Sequence, residues 1–147
     1  MTVNLTQPMR NMSVSQRQMC EIAKAISYHS KVIVLDEPTA MLDPSGRSEV
    51  IRAVRELNQT EKVTVILITH YMEEVIYADR VYVMDKGRIA MEGTPREIFS
   101  RVEELQGLRL DVPQVTLLAH ELKKRGLDLP DGILTTPELV QALTERG

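Results

Sequence analysis

The sequence predicts an α/β fold with parallel strands, and three observations carry that prediction. The first is a continuous apolar run, Val32-Ile33-Val34-Leu35, that leads straight into two adjacent carboxylates, Asp36 and Glu37. A run of this kind, without polar alternation, reads as a strand covered on both faces. The second is Lys62-Val-Thr-Val-Ile-Leu-Ile-Thr-His70, again nearly all apolar and ending in a polar pair. The third is the segment between them. Asp43 fits a helix N-cap and Pro44 the first helical position. Val50, Val54 and Leu57 mark a buried side with Ile51 beside them, and the helix is expected to end near Asn58. Strand, helix, strand over these lengths is a right-handed crossover whose strands are parallel and finish on the same edge. In open α/β sheets that edge is where ligands bind. Asp36 is placed to hold a magnesium ion, directly or through water. Glu37, one residue on, points elsewhere and is suited to orient or deprotonate an attacking water. His70 joins them if the two strands are neighbours.

Composition bounds what this edge can belong to. The 147 residues suffice for one modest domain, with a core that is aliphatic and Met-filled because there is no Trp and only one Phe. A net charge of −3 gives no global basic surface, so nucleic acid is not an expected partner. The single cysteine, Cys20, excludes an internal disulfide and a Cys-rich zinc site. No apolar run approaches the roughly 20 residues that span a bilayer. The start, Met1-Thr-Val-Asn-Leu-Thr-Gln-Pro8, lacks the charged and apolar stretches of a signal peptide. A soluble intracellular protein is the expectation.

The remaining elements follow from local signals. Pro8 breaks any helix in residues 1 to 12. Ser13-Val14-Ser15-Gln16 opens a helix with Met19, Ile22, Ala23 and Ile26 on one stripe, and Ser13 or Ser15 as the N-cap. Its free N-terminal amides and positive dipole end suit an anion. A short helix is expected around Met72 to Ala78. Arg80-Val-Tyr-Val-Met-Asp85 and Arg88-Ile-Ala-Met-Glu92 read as strands joined by a turn at Lys86-Gly87. Thr94-Pro95-Arg96-Glu97 is a capping box for a helix bearing Ile98 and Phe99. Asp111-Val-Pro113 starts a helix carrying Val115, Leu118, Ala119 and Leu122, closed by Gly126. Thr136-Pro137-Glu138 caps a last helix with Leu139, Val140 and Leu143.

Taken together, Ser13-Val-Ser-Gln16, Val32-Ile-Val-Leu-Asp36-Glu37-Pro38, Leu42-Asp43 and Thr69-His70, in this order and spacing, resemble the nucleotide-binding domain of ABC transporters. The likeness covers residues 11 to 100. It implies the C-terminal half of a P-loop NTPase domain: parallel strands, a terminal β-hairpin and a small helical C-terminal appendix. Residues 1–100 would be the partial ATPase domain, from signature motif to switch histidine and the following hairpin, and residues 101–147 the appendix. The resemblance also implies roles. Ser13, Val14, Ser15 and Gln16 would lie in the signature motif that contacts the γ-phosphate of ATP held by an opposite subunit. Asp36 would hold Mg2+, Glu37 would be the catalytic glutamate and His70 the switch histidine. Asp43 would close the D-loop, Met41 to Asp43, at the dimer interface. ATP and Mg2+ are then the cofactors. The partners are a second ATP-binding subunit, identical or not, and a transmembrane permease that holds the protein on the inner face of the cell membrane.

Within that family two affinities are visible. Met12-Ser-Val-Ser-Gln-Arg-Gln-Met-Cys-Glu-Ile looks like the signature region of sugar-importer ATPases. Gly93-Thr-Pro-Arg-Glu-Ile-Phe, Leu110-Asp-Val-Pro-Gln and Leu129-Pro-Asp-Gly-Ile look like energy-coupling-factor importers of vitamins and metal ions, and this less generic part decides for that type. Two departures stand out. The usual Leu-Ser-Gly-Gly-Gln is here Met12-Ser-Val-Ser-Gln16, which removes two glycines. No Gly-x-x-x-x-Gly-Lys-Ser/Thr occurs in the 147 residues. The resemblance therefore implies an importer ATPase represented by a fragment that does not hydrolyse ATP alone. The alternatives are a non-catalytic interaction or regulatory protein that pairs with a complete ATPase, or a fragment of a sugar-importer ATPase. In the family's fold other strands flank the one bearing Asp36, so uncovered aliphatic surface is expected from Val32, Val34, Val65 and Leu67.

Overall fold

The structure is a computed structural model that describes residues 8–145; the expectations for residues 1–7 lie outside them. The chain packs as two compact units, Met1–His70 and Tyr71–Gly147.

In the first unit, helix α1 (Val14–Ser27) opens with a reciprocal cap. The Gln16 N–H donates to Ser13 Oγ at 3.2 Å, and the Ser13 N–H donates to Gln16 Oε1 at 2.9 Å. Ser13, not Ser15, is thus the N-cap. Strand β1 (Val32–Asp36) pairs in parallel with β2 (Thr64–Ile68), from Val32 opposite Thr64 to Asp36 opposite Ile68. Helix α2 (Pro44–Glu61) makes the crossover. Asp43 caps it by accepting the Gly46 N–H at 3.0 Å. It runs one turn past Asn58 because the chain leaves the helix only at Lys62, which takes a left-handed φ of 56°.

One face of the strand pair is covered. Ile22 of α1, Ile33, Val63, and Val50, Val54 and Leu57 of α2 form the core, with Met19, Ile26, Leu35 and Val65 packed on it. Val50 is fully buried; truncating it to Ala would cost about 2 kcal/mol in lost transfer and a residual cavity. The other face is open. Val32 is 52% exposed and Val34 59%, so the expectation of a strand covered on both faces is not met here. The uncovered set also differs from the expected one. Register places Val34 beside Ile66 and Asp36 beside Ile68, so Ile66 and Ile68 share the open face, whereas Val65 packs inward beside Ile33. Side chains alternate across a strand, and α1 and α2 lie on one side of it.

In the second unit, a short helix α3 (Met72–Val75) precedes an antiparallel hairpin of β3 (Val81–Asp85) and β4 (Arg88–Gly93). Lys86 and Gly87 both have positive φ, 48° and 75°, as the tight primed hairpin turn requires. Ala90 is bulged out between the pairs Val83–Met91 and Met84–Ile89. Helix α4 (Pro95–Phe99) has the expected capping box of Thr94 and Glu97. Helix α5 (Val102–Gly107) was not foreseen: its buried pair, Val102 and Leu105, is too short a pattern to stand out. Helix α6 (Gln114–Lys124) ends at Gly126, whose N–H donates to Lys123 O while Leu127 N–H donates to Leu122 O. Helix α7 (Thr136–Thr144) is capped by Thr135, one residue before the expected position.

Val83, Met91, Ile98, Phe99, Val102 and Leu105 make one core of this unit, and Ala119, Leu129, Ile133 and Leu139 a second. The expected stripes of α6 and α7 are only partly inward. Leu118 and Val140 are each 52% exposed, and Thr116 takes the buried place, donating to Ile133 O at 2.6 Å. Arg96 ties α4 to the loop before α7, donating to Gly132 O at 2.7 Å and to Glu138. Gly132 has φ 68°, and a Cβ there would stand 2.9 Å from Arg96 O, so only glycine fits. The hairpin packs with these helices, so the packing boundary falls after His70.

Candidate functional site

The candidate residues lie in the first unit, at the carboxyl ends of β1 and β2 and at the first turns of α1 and α2. β1 ends at Asp36, which is exposed and lies opposite Ile68. The Glu37 N–H still donates to Ile68 O at 2.9 Å, so the ladder continues one residue past the strand. There the backbone turns sharply: Glu37 has a φ of 45°. L-residues other than Asn and Asp rarely adopt this left-handed conformation, and it turns the Glu37 side chain away from the line of the strand. Pro38 and Thr39 that follow are buried. The Ala40 N–H closes a turn on Glu37 O at 3.2 Å, and the Leu42 N–H another on Thr39 O at 3.0 Å.

From the end of β2, His70 reaches this turn. Its Nδ1 lies 3.1 Å from Glu37 Oε1, with 58% and 51% of the two side chains exposed. The exposed pair is open to a ligand and to water. A carboxylate held by an imidazole can orient a water or take its proton. Asp36 stands at the same edge through the strand register.

The two helix N-termini are neighbours as well. Ser15 Cβ lies 3.5 Å from where a Cβ of Gly46 would stand, which sets the first turn of α1 against the first turn of α2. Ser15 and the Asp43 carboxylate thus both border Gly46, while the Gln16 amide side chain is engaged with the Ser13 N–H. Met41 between these turns is 84% exposed. Two residues of the arrangement were missed in the sequence. Arg17 Nε donates to Met12 O and Arg47 Nε to Leu42 O, each at 3.1 Å. The signal was present: each arginine stands four residues after an N-cap, Ser13 or Asp43, and each bonds the carbonyl just before that cap.

For magnesium the donor set is informative. Among the described residues no three His, Cys, Asp or Glu side chains converge as a metal cage. One exposed carboxylate, Asp36, fits the way magnesium is held beside phosphates, with waters and phosphate oxygens as its other ligands. A half-open hollow of about 20 Å³ lies elsewhere, in the second unit, lined by Phe99, Thr116, His120 and Ile133 among others, and is the size of a single water.

The chain is similar to known proteins. The family model described as ABC transporter matches residues 2–40. The energy-coupling factor transporter ATP-binding protein EcfA1 of Caldanaerobacter subterraneus subsp. tengcongensis is 55% identical over 134 residues, 91% of this chain. The chain is similar to ABC transporter ATP-binding proteins. It spans about half the length of the curated relatives it matches, 48% of that EcfA1 and 45% of an EcfA2 from the same organism that is 41% identical to it. The resemblance to energy-coupling-factor subunits is borne out by these relatives. Among solved structures, the chain superposes on cbiO1 from Clostridium perfringens, part of the ABC transporter complex cbiONQ. The TM-score is 0.63 at 33% identity, covering 80% of this chain and 46% of that one. A putative metal-chelate type ABC transporter gives the same score and identity over 68% of this chain and 39% of that one. The expected fold, ABC ATPase with parallel strands and an antiparallel hairpin, is thereby established. No helix among the described residues is long and apolar enough to cross a membrane.

Proposed function

We propose that this chain carries part of the ATP-hydrolysing site of an energy-coupling-factor type importer subunit. The observation that carries the reading is the 3.1 Å contact between Glu37 and His70 at the ends of two parallel strands. Glu37 is the residue that orients the attacking water and accepts its proton. His70 holds the Glu37 carboxylate and faces the γ-phosphate. Asp36 would hold Mg2+, which when bound neutralises phosphate charge. Ser13, Val14, Ser15 and Gln16, at the N-terminus of α1, face ATP bound by a second subunit, and Asp43 closes the turn between the two sites. Peripheral attachment to the membrane through a permease follows from the same reading, as does uptake of a vitamin or metal ion. Residues 101–147 form an appendix of this subunit type.

The phosphate-cradling lysine motif does not occur in the 147 residues. This chain by itself is therefore expected to show no magnesium-dependent ATP hydrolysis above background. That same feature favours a second reading, a non-catalytic partner of a complete ATPase. The test joins the 147 residues to the part of the Caldanaerobacter EcfA1 that they do not match. Magnesium-dependent phosphate release by the chimera, lost in Glu37→Gln with ATP binding retained, supports the proposal. Equal turnover in the Glu37→Gln chimera would remove the role of Glu37, and an inactive chimera that still binds a complete ATPase would favour the second reading.

A further inference from the structure

The first turn of α2 contains a glycine, Gly46, that needs explaining. It is buried and its φ is not left-handed, so it is not there for backbone freedom. In a helix it is less favourable than Ala by about 1 kcal/mol. Its surroundings give the reason. A Cβ at position 46 would stand 2.8 Å from Asp43 Oδ1, 3.4 Å from Leu42 Cβ and 3.5 Å from Ser15 Cβ. The carboxylate it would strike is the one that caps α2 by accepting the Gly46 N–H. Beyond a Cβ, no room is left toward Ser15.

Ser15 is also one of the two positions, with Val14, at which the signature region carries a side chain where the usual Leu-Ser-Gly-Gly-Gln has glycine. That added side chain meets the chain at Gly46, which has none. We infer that Gly46 is a positioning residue paired with Ser15: it accommodates the serine and fixes the first turn of α1 against the Asp43 turn. It touches no ligand. It acts by keeping Ser13 to Gln16 and Asp43 in one arrangement, and its functional consequence rests on the nucleotide role proposed for those residues.

The pair makes asymmetric predictions. Gly46→Ala reaches Asp43 but only touches Ser15, so it disturbs the cap of α2 and leaves α1 in place. Gly46→Val adds two more atoms and presses on Ser15 as well. Removing the Ser15 side chain relieves the second effect and not the first.

The experiment uses the 147-residue chain and the variants Gly46→Ala, Gly46→Val, Ser15→Gly and Ser15→Gly/Gly46→Val. Backbone amide NMR shifts are read for Val14, Ser15 and Gln16. Gly46→Val is expected to move these amides, and Ser15→Gly to restore them in the double variant, whereas Gly46→Ala moves only residues 43 to 47. In parallel, association with the Caldanaerobacter EcfA1 loaded with ATP is titrated. Gly46→Val is expected to weaken it roughly tenfold, with recovery in the double variant. If Gly46→Val leaves the α1 amides unmoved, or Ser15→Gly fails to restore them, the pairing is wrong. If Gly46→Val does not fold, Gly46→Ala with and without Ser15→Gly supplies the comparison: a Ser15→Gly effect on the residue 43 to 47 shifts of Gly46→Ala would overturn the separation claimed here. If the amide pattern holds but the wild type does not associate with the loaded relative, the nucleotide reading fails and the positioning role stands.

Discussion

Glu37 and His70 stand 33 positions apart in the chain, and their side chains meet at 3.1 Å, Nδ1 to Oε1. Neither residue reaches the other by local structure. The parallel register of β1 and β2 brings their ends together, and the left-handed turn at Glu37 aims its carboxylate at the imidazole.

If this pair acts as a unit, its two members are not additive. In the chimera described above, His70→Ala is expected to lower turnover by about 10²-fold, within the range for a positioned acid–base group. Adding His70→Ala to Glu37→Gln should lower it little further. Phosphate release from the four proteins decides this. Undiminished turnover in His70→Ala would make the histidine structural.

The positive φ at Glu37 has a separate stability signature. Glu37→Gly and Glu37→Ala both remove the exposed contact with His70, so their comparison isolates the backbone. At an ordinary φ the glycine variant is the less stable of the two. Here glycine is expected to be more stable than alanine by about 1 kcal/mol, because only glycine takes the left-handed conformation without cost. Urea unfolding of the two variants measures it, and a more stable alanine variant would mean that the turn relaxes.

The open face of the strand pair, with Val32, Val34, Ile66 and Ile68 each about half exposed, is an adhesive surface. The purified chain is expected to self-associate as concentration rises. Val34→Thr with Ile66→Thr keeps β-branched side chains in the strands while making that face polar, and should shift the sedimentation profile toward monomer. An unchanged profile would locate the association elsewhere.

Acid sensitivity is expected from the second unit. Burial of the Glu138 carboxyl opposes its ionisation. The Leu134 N–H, which donates to it at 3.1 Å, and the Arg96 guanidinium outweigh that, and its pKa is held below the ordinary carboxylate value. A lowered pKa stabilises the folded state above the ordinary value of 4.5, and that contribution is lost as pH falls from there through the lower folded value. Stability measured by urea unfolding should therefore decline below pH 4.5, and Glu138→Gln should make the decline shallower. Glu97, lowered by the Thr94 N–H and hydroxyl, and Glu104, lowered by Arg101, leave a remainder in the variant. An identical slope in Glu138→Gln would exclude its ion pair as the source.

Sequence alone determined the elements whose causes are local. The caps at Asp43 and Thr94, a serine cap at 13 or 15 that the structure resolves to Ser13, the turn at Lys86-Gly87, the C-terminal glycine at 126 and the inward stripe of α2 all follow from side-chain chemistry within a few residues. The order of acid-ended and histidine-ended strands was equally legible, since a crossover puts both ends on one edge. What only the tertiary structure decided depends on contacts between distant segments. Periodicity gave an apolar run at Val32 to Leu35 but not which face would be covered, and the answer came from α1 and α2 lying on one side. The same holds for α6, where Leu118 faces out and Thr116 is buried because its hydroxyl reaches Ile133 O. The meeting of Ser15 with Gly46 carries no sequence signal at all. It is a steric fit between two helix starts, and a residue's missing side chain acquires meaning only when the neighbour that fills the space is known.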